Sequence, residues 1–233
     1  MENTHVSETT TVPSENWDSV WKRGRLMDKI LELGVGVYNS LWHSLIKKYI
    51  TTSAVMVELG CGGAVLSLSL AKDLKEYVGI DYSEEAVRLA RGNATKRGVS
   101  NFSFIQHDVL KLEQKLHNSF DLVWSQGLVE HFPSYEQIIR VHYELVKPGG
   151  TVLISVPYHY SYHLLWYLWT RHSSLQRFYP WNDTDVKFPT REDMLSAGTS
   201  VSSGHAHVYF LPPALLGLFL GIIILRLEKP AEV

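Results

Sequence analysis

The chain has 233 residues, enough for one α/β domain with a substantial hydrophobic core but too few for two full domains. Hydrophobic residues make up 45% of the sequence, charged residues 20%, and the formal net charge is -2. These values are ordinary for a globular protein and provide no positive field to hold a polyanion, so no nucleic-acid partner is predicted.

Cysteine usage and the N-terminus predict a reducing, cytoplasmic setting. Cys61 is the only cysteine and cannot form an intrachain disulfide, and the first twenty residues contain no apolar signal segment. Residues 1–15 are rich in Thr, Ser and Glu and have almost nothing to bury, which predicts a flexible tail. Residues 16–233 are predicted to form a single domain.

The pattern along the chain predicts helices first and a parallel sheet afterwards. Apolar residues recur at helical spacing over residues 17–50, with a break at Gly34 and Gly36. The strand candidates that follow are "AVMVEL", "EYVGID", "FSFIQHD", "FDLVWSQ" and "TVLISVP". Helical patterns alternate with these runs, and the second such helix is bounded by Ser83, a good N-cap, and Gly98. Such alternation predicts crossover units and a parallel sheet.

An apolar stretch over residues 209–227 approaches the length of a membrane span. Pro212 and Pro213 interrupt it, and Gly217 and Gly221 divide the remainder into a short helix and the β-branched piece "IIILRL". A buried final strand explains this pattern as well as a span does. Membrane contact is therefore not favoured, although it stays an alternative.

Four segments are predicted to meet at the carboxyl edge of the sheet, where ligands bind in such folds. The first strand ends in Glu58, and the glycines at 60 and 62 would let a ligand approach the main chain. Asp81 follows nineteen residues beyond Gly62, a distance suited to an acid that accepts hydrogen bonds from ribose hydroxyls. The other segments contain Tyr82 beside Asp81, Asp108 with Val109, and "SQGLVEHF" from Ser125.

The spacing of the glycines separates two nucleoside cofactors. A dinucleotide loop needs G-x-G-x-x-G, but the third position here is Val65, and the sequence instead gives G-x-G-x-A with Ala64. The carboxylate of Glu58 would disfavour a pyrophosphate, whereas it suits a ligand with an ammonium and a sulfonium group. These residues predict S-adenosylmethionine, with a nicotinamide cofactor as the weaker alternative.

With these motifs the chain resembles the class I S-adenosylmethionine-dependent methyltransferases, in particular the small-molecule group (methyltransferase type 11/25-like) with "ELGCGxG" loops. The resemblance runs from about residue 17 through 150 and implies a doubly wound, Rossmann-like α/β fold. The sheet would have seven strands, mostly parallel, with "IIILRL" as the candidate for an antiparallel last strand. Ala64 departs from the third glycine of the family.

The resemblance also implies roles for the residues at the strand ends. Glu58, Gly60, Cys61 and Gly62 would wrap the methionine half of the cofactor. Asp81, with Tyr82 beside it, would bind the ribose, Asp108 and Val109 the adenine, and the main chain of Ser125 and Gln126 the methionine ammonium. Taken singly, Asp81 could be only a capping residue and Asp108 only a solvated loop acid.

Fewer residues of the sequence indicate where the methyl acceptor binds. His131 in "GLVEHF" is the candidate general base for an acceptor that must lose a proton, although Glu130 and His131 could instead brace the next helix. Residues 158–181 include nine Tyr, Trp or Phe residues and lie in a predicted lid insertion over residues 157–190, with ordinary core packing as the alternative. His205 and His207 have no apparent third ligand, so no metal is predicted.

The predicted function is methyl transfer from S-adenosylmethionine to a small organic acceptor of apolar or aromatic character, releasing S-adenosylhomocysteine. The predicted helices over residues 16–50 would cover the cofactor, and Trp17, Trp21 and Tyr38 could contact adenosine or acceptor. Two alternatives stay open: a membrane-associated lipid or quinone methyltransferase, and a non-catalytic S-adenosylmethionine-binding protein. The acceptor atom and the oligomeric state are not indicated.

Overall fold

The structure, a computed structural model, describes residues 17–19, 21, 40–161, 168, 186–211 and 221–231. Within these residues seven strands form one sheet: β1 (Val55–Leu59), β2 (Glu76–Asp81), β3 (Phe102–Gln106), β4 (Phe120–Gln126), β5 (Val146–Pro157), β6 (Ala206–Leu211) and β7 (Ile222–Glu228). The α-helices are α1 (Val65–Leu70), α2 (Glu84–Arg97), α3 (Tyr135–Leu145) and α4 (Arg191–Ser202), and residues 40–46 are also helical. Short 3₁₀ turns cover Ala71–Asp73, Val109–Lys111, Gln114–Leu116 and Val129–His131.

The strand order is β3-β2-β1-β4-β5-β7-β6. Strands β1 to β5 are mutually parallel, and β7 is antiparallel to both β5 and β6. The chain moves outward from β1 to β3 and then returns to place β4 on the other side of β1, so the order reverses there. The predicted seven-stranded, mostly parallel sheet is confirmed, and "IIILRL" does form the antiparallel strand β7.

Helices pack on both faces of the sheet and produce two apolar clusters. On one face, Trp42 and Ile46 of the helical residues 40–46 join residues of α1 and α2 against Trp124. On the other face, Ile138 of α3 and Met194 of α4 pack against inward-facing valines and isoleucines of the strands. Because β1 and β4 are covered on both faces, nearly every residue in them is buried, as expected for central parallel strands.

The predicted boundaries of the second helix, α2, are confirmed. The Ser83 Oγ accepts a hydrogen bond from the Ala86 N–H at 3.1 Å, and Gly98 ends the helix in the left-handed conformation with φ +64°. Both ends of α2 are therefore satisfied by the groups that the sequence supplies there.

Strand β5 differs in one detail from the sequence-based prediction. The strand was predicted at "TVLISVP", yet β5 already begins at Val146 and includes the preceding segment "KPGG". The register moves from Phe120 opposite Val146 to Leu122 opposite Thr151, so this segment forms a bulge inside the strand, with Gly149 at φ +79°. The extra residues therefore lie within the bounds of the strand.

Several predictions fall on residues outside the described ranges. These are the tail over residues 1–15, most of the helices predicted over residues 16–50 including Tyr38, and most of the lid predicted over residues 157–190. The described parts of the apolar stretch lie in β6 and β7. Across the described ranges, no helix combines the length and the apolar character that a bilayer crossing requires.

Candidate functional site

The loop after β1 lies where the strand order reverses, which is the usual ligand position in open α/β sheets. Gly60, Gly62 and Ala64 all have positive φ, of +67°, +50° and +53°. A Cβ on Gly60 would lie 2.9 Å from Cδ1 of Leu128, and one on Gly62 would lie 2.4 Å from Cη2 of Trp21. Glycine at both positions therefore suits the positive φ and the close approach of Leu128 and Trp21.

Hydrogen bonds hold this loop against the end of β2. The N–H groups of Gly60 and Cys61 both donate to the Ile80 carbonyl, at 2.8 and 3.1 Å. The Gly62 N–H donates to Oδ2 of Asp81 at 2.8 Å. The two segments that the resemblance assigns to methionine and to ribose are thus joined directly.

Asp81 is buried at the end of β2, with 8% of its surface exposed. Its Oδ1 accepts the Ser83 N–H at 2.9 Å, so each oxygen already accepts one main-chain hydrogen bond and keeps further acceptor capacity. Burial raises the pKa of this carboxyl, and the nearby Asp18 carboxylate adds to the increase. A cation or hydroxyl donors from a ligand would favour the ionised form again.

Glu58 is also buried, and its carboxylate is bound from one side. Its Oε2 accepts hydrogen bonds from Ser67 Oγ and from the Tyr77 hydroxyl, both at 2.6 Å. The Trp124 indole N–H donates to Ser67 Oγ at 3.2 Å. Burial raises the pKa of Glu58 to about 7, while the hydrogen bonds from Ser67 and Tyr77 oppose that rise. We call Glu58, Ser67, Tyr77 and Trp124 the open network.

Asp108 follows β3 and lies beside the end of β2, because the neighbouring His107 N–H donates to the Asp81 carbonyl at 2.9 Å. The Asp108 Oδ1 caps the following 3₁₀ turn by accepting the Leu110 N–H at 3.0 Å, and Oδ2 forms an ion pair with Lys111 at 3.4 Å. Asp108 therefore acts as a turn cap with 13% of its side chain exposed, which differs from the solvated loop acid given as its alternative. Val109 beside it is buried, and an adenine-binding role for the two residues stays a prediction.

The end of β4 completes the edge. The Ser125 Oγ is hydrogen-bonded to Nε2 of His142 at 2.8 Å, so the side chain of Ser125 is directed to α3 and only its main chain is left for the predicted ammonium contact. Gln126 is half-buried, and the Gly127 N–H donates to the Ser155 carbonyl of β5 at 3.0 Å. Tyr82, which follows β2 at the same edge of the sheet, is 36% exposed.

His131 lies in the 3₁₀ turn Val129–His131, close after β4. Its ring packs edge-on against Trp17 with centroids 4.8 Å apart. Glu130 beside it is buried, burial raises its pKa to about 8, and its Oε2 has no hydrogen-bond partner among the described residues. His131 thus contacts the N-terminal segment, whereas Glu130 beside it is buried.

Three contacts bring the described N-terminal residues onto the loop. Trp21 packs on Gly62, Trp17 packs on His131, and the Asp18 carboxylate accepts hydrogen bonds from the Ser83 hydroxyl and from a main-chain N–H in the first turn of α2. Of these residues, Trp21 contacts the cofactor loop itself, and a cover over the cofactor stays a prediction. Asp18 was not singled out from the sequence because a lone acid in a polar N-terminal segment carries no distinguishing signal.

A profile of the methyltransferase domain family matches residues 50–184, more than half of the chain. The chain belongs to this family. Family membership, together with the fold, confirms the predicted class I S-adenosylmethionine-dependent methyltransferase domain and its cofactor. The nicotinamide alternative is thereby set aside.

Individual relatives match at lower coverage or identity. The chain is 35% identical over 100 residues to the ubiquinone biosynthesis O-methyltransferase of Acinetobacter baylyi, covering 43% of this chain and 42% of that protein. The chain thus matches less than half the length of that relative.

Two solved structures share the fold. The YcgJ protein from Bacillus subtilis aligns with TM-score 0.63 at 14% identity, over 84% of this chain and 100% of that chain. A phosphoethanolamine N-methyltransferase 2 from Haemonchus contortus, in complex with phosphomonomethylethanolamine and S-adenosylhomocysteine, aligns with TM-score 0.62 at 17% identity, over 83% of this chain and 53% of that chain. At these identities the likeness establishes the fold alone.

The types of residue at the ligand edge of the sheet suit S-adenosylmethionine. Two positive-φ glycines leave the main chain without side chains, and two buried carboxylates, Glu58 and Asp81, lie near the loop; among the described residues neither forms an ion pair with a cation. A positively charged nucleoside is what such a set of groups would favour.

The contribution of Gly79 to the site was not predicted from the sequence. A Cβ at this position would lie 2.6 Å from the Phe104 ring and 2.9 Å from Cys61 Sγ.

Proposed function

We propose that this protein transfers a methyl group from S-adenosylmethionine to a small organic acceptor of apolar or aromatic character and releases S-adenosylhomocysteine. One observation carries the proposal: in the short segment after β4, Leu128 packs on Gly60 of the cofactor loop, and His131 packs against Trp17 of the N-terminal cover. His131 thus belongs to the segment that contacts the cofactor loop through Leu128, and itself contacts the N-terminal residues through Trp17.

Bound S-adenosylmethionine supplies an electrophilic methyl group on a positively charged sulfur. The work left to the chain is to bind, align and exclude water. We assign Glu58 and the Gly60–Gly62 main chain to the methionine half, Asp81 to the ribose, Asp108 and Val109 to the adenine, and the main chain of Ser125 and Gln126 to the ammonium. Residues Cys61 and Tyr82 complete the set by position.

His131 is assigned the proton transfer that a hydroxyl acceptor requires. Histidine is the side chain whose unperturbed charge change lies closest to neutral pH, which suits the removal of a proton as the oxygen becomes nucleophilic. The edge-on contact with Trp17 fixes the plane of the imidazole. Oxygen as the acceptor atom is further supported by the similarity to the O-methyltransferase of Acinetobacter baylyi.

Aromatic side chains at the carboxyl end of β5 support an apolar or aromatic acceptor. Tyr158 lies 5.6 Å from Tyr160 and 5.0 Å from Phe210, measured between ring centroids, and both pairs are edge-to-face. The Tyr160 side chain is 71% exposed at the start of the predicted lid. Exposed rings at the ligand edge of the sheet offer area for stacking or for apolar contact.

A second candidate is a membrane-associated quinone or lipid methyltransferase. It is favoured by the similarity to the ubiquinone biosynthesis O-methyltransferase of Acinetobacter baylyi. Co-sedimentation with neutral and anionic phospholipid vesicles distinguishes the two: retention on vesicles supports the second candidate, and full recovery in the supernatant supports a freely diffusing acceptor.

The proposal is tested by turnover of methyl-labelled S-adenosylmethionine against a panel of phenols, catechols and amines. We expect His131→Ala to lower kcat for a phenolic acceptor by about 100-fold, the lower end of the usual effect of a general base, while the Kd for S-adenosylhomocysteine changes by less than about threefold. His205→Ala, which alters an exposed histidine at the start of β6, is the matched control. Unchanged kcat in His131→Ala would remove this residue from catalysis, and cofactor binding without turnover of any acceptor would favour the non-catalytic binding protein.

A further inference from the structure

The two oxygens of Glu58 have different surroundings. Oε2 accepts two short hydrogen bonds from hydroxyl groups, those of Ser67 and Tyr77. Oε1 accepts none from the described residues, and Glu58 is not in an ion pair with any of them. A buried carboxylate that is bound on one side and lacks a cation within the described structure is well placed to receive one from a ligand.

The sheet register explains how the two hydroxyls reach the same oxygen. Glu58 is paired with Gly79 on β2 and with Trp124 on β4. Since Gly79 has no side chain, Tyr77, two residues earlier on the same face of β2, can reach Glu58. Ser67 comes from α1, which lies over this face of the sheet and packs in the same apolar cluster.

Trp124 and its neighbours fix Ser67 in place. The indole N–H of Trp124 donates to Ser67 Oγ, which leaves the hydroxyl hydrogen of Ser67 for Glu58. Trp124 itself packs against Trp42 with centroids 5.6 Å apart, and all four members of the open network are buried. The donors therefore have little freedom to turn away from the carboxylate.

The groups that face Glu58 are otherwise acidic or neutral. From β2 come Tyr77 and, at the strand end, Asp81; from the loop comes Cys61. From α1 and β4 come the uncharged Ser67 and Trp124, and from the helical residues 40–46 comes Trp42 behind Trp124. Among the described residues, hydroxyl donors thus take the place that a cationic partner would hold.

We propose that Tyr77 and Ser67 are positioning residues of the cofactor site, which hold Oε2 and favour the charged form of Glu58, so that Oε1 is left for a cationic group of the cofactor. This inference rests on the proposed role of Glu58 in binding the methionine half. It assigns a function to two residues that look like ordinary buried polar groups.

The test compares three ligands that differ in charge. S-adenosylmethionine carries an ammonium and a sulfonium group, S-adenosylhomocysteine carries the ammonium alone, and 5′-methylthioadenosine carries neither. In calorimetry at pH 7, Tyr77→Phe and Ser67→Ala should each weaken binding of S-adenosylmethionine by about tenfold, because each removes a hydrogen bond to a charged group. Binding of 5′-methylthioadenosine should stay within about twofold of wild type, because it presents no cation to Glu58.

Affinities for S-adenosylmethionine measured at several pH values distinguish a positioning role of Tyr77 from damage to the fold. Without one hydroxyl donor, Glu58 requires a higher pH to ionise, so the loss in Tyr77→Phe should shrink as the pH rises toward about 9. The ratio of variant to wild-type affinity at each pH cancels the titration of the ligand itself. In a Glu58→Gln background, Tyr77→Phe should add almost nothing to the loss.

Ser69→Ala is the matched control for Ser67→Ala, because Ser69 lies in the same helix and donates only to the Leu66 carbonyl. It should change no affinity. Equal weakening of all three ligands by Tyr77→Phe, or unchanged binding of S-adenosylmethionine, would overturn the inference while the cofactor site stands. If folded wild-type protein binds none of the three ligands, the proposed function fails together with the inference.

Discussion

Two buried hydrogen-bond networks lie on opposite faces of strand β4, and only one is complete. Trp124 faces the open network, while the next residue, Ser125, faces α3. There the Ser125 hydroxyl is hydrogen-bonded to His142 Nε2, and the His142 Nδ1 to the Ile138 carbonyl, both at 2.8 Å. Every polar atom of this imidazole has a partner, and burial lowers its pKa to about 4, so it is neutral. We call this the closed network.

The difference shows how one strand can contribute both stability and a binding site. A complete buried network holds α3 to the sheet and has no capacity left for a ligand. The open network keeps one carboxylate oxygen in reserve, and the cost is a carboxyl whose ionisation at neutral pH opposes folding. Proteins commonly accept such a loss of stability where binding requires it.

The largest expected effect is a loss of folding stability at acid pH, caused by His142 of the closed network. The folded pKa of His142 lies below its ordinary value, so the stability it contributes is present above about pH 6.5 and is lost as the pH falls toward about 4, by an amount on the order of 3 kcal/mol. Urea unfolding across this range measures the loss.

His142→Leu is the control for that loss. At pH 7 the variant should be about 2 kcal/mol less stable than wild type, because the Ser125 hydroxyl is left buried without a partner. The difference should shrink toward pH 4, where wild type has lost its advantage. An identical acid slope in both proteins would mean that His142 does not titrate as this network requires.

A smaller effect is expected in the open network, with the opposite sign. The folded pKa of Glu58 is raised to about 7, so the stability from its neutral form is complete below about 4.5 and is lost as the pH rises through 7. The shift corresponds to on the order of 3 kcal/mol, and part of it is offset because a neutral amide at this position accepts weaker hydrogen bonds from Ser67 and Tyr77. Glu58→Gln should therefore be more stable than wild type by about 1–2 kcal/mol at pH 8 and should bind S-adenosylmethionine more weakly.

Glu130→Gln is the control variant for Glu58→Gln, because it removes a buried carboxyl that is not assigned to the cofactor. The carboxyl of Glu130 is equally buried and its pKa is raised to about 8, so its neutral form contributes stability up to about pH 8. Stabilisation should appear in both variants above pH 8, and weakened cofactor binding in Glu58→Gln alone. Equal loss of cofactor affinity in the two variants would contradict the distinction between them.

The smallest effect belongs to the loop that connects the open network to the ligand edge. Ala64 has φ +53°, a conformation that costs a residue with a Cβ about 1 kcal/mol. Ala64→Gly should raise the free energy of unfolding by about 0.5 kcal/mol after the added entropy of glycine is counted. A thermal or urea melt measures it, and destabilisation would show that the Ala64 methyl group is needed in the core.

Much of the fold could be predicted from the sequence because its signals are local. The alternation of apolar strands and helical patterns, Ser83 and Gly98 at the ends of α2, and "IIILRL" as a strand each depend on a few adjacent residues. The antiparallel direction of that strand was implied by the family resemblance. The position of β7 between β5 and β6 could not be read in this way, because it depends on which surfaces pair after the chain has passed through residues 212–220.

The candidate site was predictable in its outline and not in its contacts. Glu58 and Asp81 were found because the glycine spacing and the strand ends identify them. Tyr77 and Ser67 were missed because each looks like an ordinary residue of a strand or helix, and only the register that sets Gly79 opposite Glu58 brings them to the carboxylate. A tyrosine two residues before a glycine on the neighbouring strand was the one available signal.

The central claim is that the carboxylates and bare main chain at the ends of β1 and β2 bind a positively charged sulfur nucleoside. Isothermal titration of the wild-type protein with S-adenosylmethionine tests it most directly. The account predicts a saturable heat with one site per chain. No detectable heat at two temperatures, from protein that circular dichroism shows to be folded, would contradict it.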